Sequence, residues 1–225
     1  MNQPNVISNP AGQKTLFLAE LNETYHSIYG AYAESKHVFI AAGLHHFWDH
    51  YQPNNTAILE IGFGTGLNAM LSLLEAEDRS LAITYHSFET LPLPYSLVQE
   101  LDYHKHWDEQ SENFFMKMHE CDWDKPAQIS NFYTLQKINK SILNTAVENQ
   151  YHLIFFDAFA PNKQAEMWSE VIFKTMYQSL HPGGILVTYT AKGEVRRTLS
   201  AIGFEVERIE GPPGKRHMLR AYKKG

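Results

Sequence analysis

A chain of 225 residues has room for one α/β domain with a modest extra element, and it can bury a real core without covalent staples. Hydrophobic residues make up 44% and charged residues 20%, which excludes a disordered chain, and the net charge of −6 argues against a nucleic-acid partner for the molecule as a whole. The single cysteine, Cys121, excludes an internal disulfide; with a polar start and no bilayer-length apolar run, a cytoplasmic protein without a membrane partner is expected.

Residues 1–14 read as a loose tail, and TLFLAELNETYHSIY over 15–29 as a hairpin. Glu34 to Tyr51 carries apolar residues at helical spacing, through Val38, Phe39, Ala42, Leu44, Phe47 and Trp48. A break at Pro53 divides this extension, residues 1–52, from the domain expected over 53–225.

From there strands and helices alternate. Ala57–Phe63 reads as a strand, Leu67–Glu75 as a helix and Ala82–Glu89 as a strand. Residues 95–123 read as helical, Asn131–Lys137 as a third strand and Ser141–Glu148 as a helix. Tyr151–Phe159 is a strongly apolar fourth strand, followed by a helix over Met167–Leu180 that ends at His181-Pro182-Gly183-Gly184. Ile185–Thr190 is a fifth strand and Glu194–Ala201 a helix. Gly203–Ile209 and His217–Tyr222 flank a Pro-Gly turn as an antiparallel pair. Such alternation indicates a parallel sheet covered on both faces. With the closing hairpin, it predicts the Rossmann-like, seven-stranded class I methyltransferase fold.

The first strand ends in Glu60-Ile61-Gly62-Phe63-Gly64-Thr65-Gly66, a glycine loop suited to a nucleotide-like ligand at a helix start. The dinucleotide pattern wants its third glycine at Leu67, so the spacing, with Glu60 ahead of it, favours S-adenosylmethionine over NAD. Glu89 ends the second strand, where a carboxylate can accept ribose hydroxyls; an exposed strand-end acid is the bland alternative. Asp157 ends the fourth strand, where it can accept a hydrogen bond from a target nitrogen and orient its lone pair. It could instead cap a loop, with Phe159 in the core.

Other features carry less. The histidines lack a paired-ligand spacing, so no metal is expected, and Cys121 reads as a packed thiol. Trp107, Trp123 and Trp168 read as packing residues. From Lys192 onward nine Lys and Arg stand against four acids, which fits a phosphate-facing patch or a solvated hairpin.

The segments ELNETYHSIYGAYAESKHVFIAAGL, LEIGFGTGLNAM, HSFETLPL, FFDAFAPNKQAEMW, HPGGILVTYTAKGEVRRTLSAIGF and GPPGKRHMLRA together resemble the methyltransferase domain of the MnmC family, from about Leu16 to Tyr222. That family makes 5-methylaminomethyl-2-thiouridine at the tRNA wobble position. The resemblance implies that Glu60, Gly62, Phe63, Gly64, Gly66 and Asn68 cradle S-adenosyl-L-methionine and that Glu89 holds its ribose. Asp157 matches the acid beside the transferable methyl, with Phe159 and Pro161 shaping a nucleobase pocket. Tyr25, His26 and Ser27 fall in a motif that folds over the site. Lys192, Arg196, Arg197, Lys215 and Arg216 fall where tRNA phosphates approach.

The implied reaction is N-methylation of the aminomethyl group of 5-aminomethyl-(2-thio)uridine, by a stand-alone form without the family's FAD oxidoreductase half. Where many relatives have Gly-Asp after the third strand, Gln136-Lys137 is aligned here, so the adenine contact is expected to come from elsewhere. Two other readings stand beside this one: an enzyme acting on a small amine, as in polyamine-synthase relatives, and a non-catalytic S-adenosylmethionine-binding module.

Overall fold

The structure, a computed structural model, describes residues 3–8, 14–25, 30–101, 103–145 and 150–225. Strands β1 (Asn5–Ser8), β2 (Lys14–Leu18) and β3 (Glu23–Thr24) form a small antiparallel sheet. The hairpin expected over 15–29 is thus β2 and β3, and the stretch read as a loose tail supplies a third strand. Residues 26–29 lie outside the described part, and with them His26 and Ser27.

Helix α1 (Ala31–Ser35) continues without a break through a π-helical stretch, Lys36–His45, into α2 (His46–Tyr51). This rod lies close on the sheet, since a Cβ added to Gly43 would stand 3.0 Å from Val187 and 3.3 Å from Phe155.

The main sheet contains β4 (Asn55–Ile61), β5 (Ala82–Phe88), β6 (Pro126–Ser130), β7 (Tyr133–Ile138), β8 (Tyr151–Phe156), β9 (Leu180–Thr188), β10 (Glu205–Glu210) and β11 (His217–Tyr222). Its order is β10-β11-β9-β8-β4-β5-β7-β6. The five strands from β9 to β7 in that order run parallel, and β11 and β10 close one side antiparallel. These are the seven strands expected. β6 is an eighth, paired antiparallel to β7 at the other edge.

Helices α3 (Leu67–Arg79), α4 (Tyr95–Gln99), α5 (Glu109–Glu120), α6 (Glu170–Ser179) and α7 (Gly193–Ile202) complete the fold. Along β8 successive residues enter opposite cores: Leu153 and Phe155 join the apolar cluster under the N-terminal rod and α3, whereas Ile154 and Phe156 join the one under α6 and α7. Burial on both faces is why this strand reads as an unbroken apolar run.

Three expectations change. The helix expected over 141–148 is a 3-10 turn, Ile142–Asn144, capped by Ser141 Oγ accepting from Leu143 N; residues 146–149 are not described. Residues 95–123 break into α4, a 3-10 turn at Tyr103–His106, and α5. His181-Pro182-Gly183-Gly184 lies inside β9, where the pairing with β8 shifts register between Tyr151 and Leu153. The extra residues there form a bulge rather than a terminating turn.

Candidate active site

Backbone ladders run one residue past the ends of three neighbouring strands. Gly62 N donates to Phe88 O at 2.9 Å, Asp157 N to Ile61 O at 3.1 Å and Glu89 N to Ile138 O at 3.0 Å. Gly62, Glu89 and Asp157 therefore stand side by side at the carboxyl edge of the sheet, where open α/β sheets bind ligands. Gly62 has φ +94°, and a Cβ there would stand 2.9 Å from Asp157 O, so only glycine lets the β4 and β8 tips approach this closely.

The glycine loop is held by the carboxylate expected to reach a ribose. Glu89 Oε2 accepts from Gly64 N at 3.0 Å, and Oε1 accepts from Thr90 N at 2.8 Å and Leu91 N at 2.7 Å. Burial pushes the Glu89 carboxyl up, and these three backbone donors pull it back.

Asp157 is linked to the same loop. Asn68 Nδ2 donates to Asp157 Oδ2 at 2.9 Å and to Glu60 Oε1 at 3.1 Å, while Ser87 Oγ donates to Glu60 Oε2 at 2.6 Å. With Nδ2 shared by two carboxylates, Asn68 Oδ1 is buried without a hydrogen-bond partner. Burial pushes Asp157 up to about 7; the Asn68 bond and the Lys215 charge oppose this, and the Glu34 charge adds to it. Burial likewise pushes Glu60 up to about 8, against the Ser87 bond and with the Asp157 charge.

Asp157, Asn68, Glu89 and the glycine loop border a cavity of about 670 Å³, in the range of small-molecule sites. Of the expected site residues, Tyr25, Gly62, Phe63, Gly64, Asn68, Glu89, Asp157, Phe159 and Lys215 line it. Glu60, Gly66 and Pro161 do not line it. Glu60 is fully buried beneath it and accepts from Asn68, which does line it. A Cβ on Gly66 would stand 3.0 Å from both His119 Nε2 and the Phe63 ring, so this glycine shapes the turn into α3. Pro161 is buried just past the cavity wall.

The roof comes from the N-terminal sheet. Tyr25 meets Phe159 edge-to-face at 5.2 Å, and Lys163 Nζ donates to Leu21 O and Asn22 O, both at 3.0 Å. Opposite, Tyr189 OH donates to Ala158 O at 2.9 Å and Trp168 Nε1 to Phe159 O at 2.7 Å, which fixes the loop carrying Asp157 and Phe159. Trp168 is thereby a loop-positioning residue.

Gln136 and Lys137 are placed away from the cavity. Lys137 is 1% exposed, donates to His119 O at 2.8 Å and lies 4.9 Å from the Trp123 ring centre. β7 runs on to Ile138, and Lys140, Ser141, Ile142 and Leu143 edge the cavity instead. Lys192, Arg196, Arg197 and Arg216 are exposed. Lys215, expected with them, turns inward to pair with Glu34.

A family model described as S-adenosyl-L-methionine-dependent methyltransferase matches residues 102–224. The chain belongs to this family. The methyltransferase is 32% identical over 216 residues to the tRNA 5-methylaminomethyl-2-thiouridine biosynthesis bifunctional protein MnmC of Idiomarina loihiensis, covering 88% of the chain and 35% of that protein. The namesake of Dichelobacter nodosus is 27% identical, over 90% of the chain and 34% of that protein. The chain thus spans about a third of the length of these curated relatives. A crystal structure of MnmC2 from Aquifex aeolicus shares the methyltransferase's fold, with TM-score 0.77 and 22% identity, over the whole chain and 72% of that structure.

Glu34, Tyr189 and the Lys140–Leu143 edge were missed by sequence reasoning. Glu34 lies in a segment quoted for its resemblance, yet nothing local marks it as facing Lys215, 181 residues away.

Proposed function

We propose that the methyltransferase transfers a methyl group to the aminomethyl nitrogen of 5-aminomethyluridine, with or without a 2-thio group, at the tRNA wobble position. The observation that carries this reading is the Asp157 carboxylate, anchored by Asn68 at the floor of a cavity walled by Tyr25, Phe159 and Tyr189. A flat base can be held between such rings while its side-chain amine meets the acid. The relatives from Idiomarina loihiensis and Dichelobacter nodosus are named for the biosynthesis of tRNA 5-methylaminomethyl-2-thiouridine, whose methylamino group is what this transfer would make.

The residues present fit S-adenosyl-L-methionine. The glycine loop leaves room for close backbone approach, and Glu89 lines the cavity as an acceptor for hydroxyls. Ile142 and Leu143 offer an apolar edge for the base. When bound, this cofactor supplies an electrophilic sulfonium methyl.

The chain's own residues do the rest. Asp157 Oδ2 is taken by Asn68 Nδ2, which leaves Oδ1 to accept from the acceptor amine and receive the proton that amine loses. Tyr25 and Phe159 exclude water above, and Glu60 keeps Asn68 in place below. Lys192, Arg196, Arg197 and Arg216 are assigned to tRNA phosphates, and a cytoplasmic location follows from that substrate.

Incubation with labelled S-adenosyl-L-methionine and tRNA bearing 5-aminomethyluridine tests this. Label should appear in the wobble nucleoside on mass spectrometry. Transfer to a free small amine with none to this tRNA would sink the reading.

A further inference from the structure

Lys215 lies in the turn between β10 and β11, where a lysine ordinarily extends into water. Its neighbours Pro213, Gly214 and Arg216 are exposed. Lys215 instead enters the cavity, with its side chain only 35% exposed, and its Nζ bonds Glu34 Oε1. The same Nζ stands 4.1 Å from the centre of the Tyr189 ring. Glu34 is more enclosed still, at 14%. Tyr189 is itself pinned to Ala158 O, one residue from Asp157, and the charges of Glu34 and Lys215 both act on the Asp157 carboxyl.

A carboxylate and an aromatic face converging on one point recognise a primary alkylammonium. Here the group found between them belongs to the protein. We propose that Glu34 and the Tyr189 ring form the entry seat for the acceptor's ammonium group, occupied before its nitrogen moves to Asp157 and gives up its proton there, and that Lys215 fills this seat until substrate displaces it. The proposal rests on the reading above that the acceptor is a primary alkylamine.

Displacement exchanges one ammonium for another, so the charge balance at Glu34 is kept. A uridine without an amine cannot make that exchange, and the seat thereby selects the modified base. Lys215 departs on a turn rather than a strand, so no sheet pairing need break. Its charge then joins that of exposed Arg216 on the outer surface.

The test has two arms. In the first, Lys215→Met vacates the seat without shortening the stem, and n-propylammonium chloride is the probe. Saturable stabilisation is expected in Lys215→Met, by about 4 °C at tens of millimolar, and not in wild type or the Glu34→Gln/Lys215→Met double variant. Neutral n-propanol is the control. In the second, Glu34→Gln raises KM for aminomethylated tRNA about 10- to 100-fold, with kcat and S-adenosyl-L-methionine affinity little changed.

Equal propylammonium responses in all three proteins, no response in any, or an unchanged KM in Glu34→Gln would each overturn the seat. If wild type methylates no tRNA, the acceptor reading fails, and the propylammonium arm still decides whether the seat exists.

Discussion

Burial holds the Asp157 carboxyl near pH 7, far above the ordinary range of an aspartate. Between the ordinary value near 4 and pH 7 the folded protein binds the proton and the unfolded chain does not. This residue's contribution therefore favours folding at low pH, is lost as pH rises through that window, and is flat above it. Asp157→Asn should unfold at higher urea than wild type at pH 8, with the difference gone at pH 4. The same substitution removes the proposed proton acceptor. The wild-type kcat/KM should climb to a plateau above about pH 7, and the variant should lose that limb and about 10²- to 10⁴-fold in rate. Gly62→Ala forces a Cβ against Asp157 O at positive φ, and should cost about 1–3 kcal/mol in urea unfolding together with cofactor binding.

Two elements are assigned to other molecules in the proposed function, and each also buries apolar residues, Leu16 and Leu18 in the N-terminal sheet and Val195 and Leu199 in α7. The N-terminal sheet is tied to the Asp157 loop by Lys163 bonding Leu21 O and Asn22 O. Lys163→Ala should speed proteolytic cleavage ahead of residue 30 and weaken S-adenosyl-L-methionine binding, while the urea midpoint of the whole domain hardly moves. Helix α7 presents Arg196 and Arg197 to solvent. Neutralising both should lower the slope of log K against log salt for tRNA by about 1.5–2. A slope equal to wild type would return this helix to an ordinary solvated face. Other elements show where local pattern fails. β6 was missed because it is an edge strand opening with a proline and burying only Ile129, so no alternation marks it. Ile142–Asn144 stops as a single turn because Ser141 caps it and Thr145 returns to extended backbone.

At the scale of the molecule, the cofactor should act as a stabiliser, because the cavity proposed to hold it is bordered by four places: the glycine loop, Glu89, the Lys140–Leu143 edge and the N-terminal roof. S-adenosyl-L-methionine at 100 times its Kd should add about 2.7 kcal/mol and raise Tm by roughly 5–10 °C, read by scanning fluorimetry. The sequence by itself determined the layered α/β plan, since apolar runs such as Leu153–Phe156 and the helical spacing around Leu71 are local consequences of burial. It also determined the strand-tip positions of Gly62, Glu89 and Asp157, because loop glycines and strand-end acids are local signals. Only the tertiary structure decided what those tips face. It put Glu60 beneath the cavity and Lys137 under Trp123, and it paired Lys215 with Glu34 across 181 residues of chain. A side chain's partner across such a separation depends on how whole elements pack, and no spacing in the sequence encodes it.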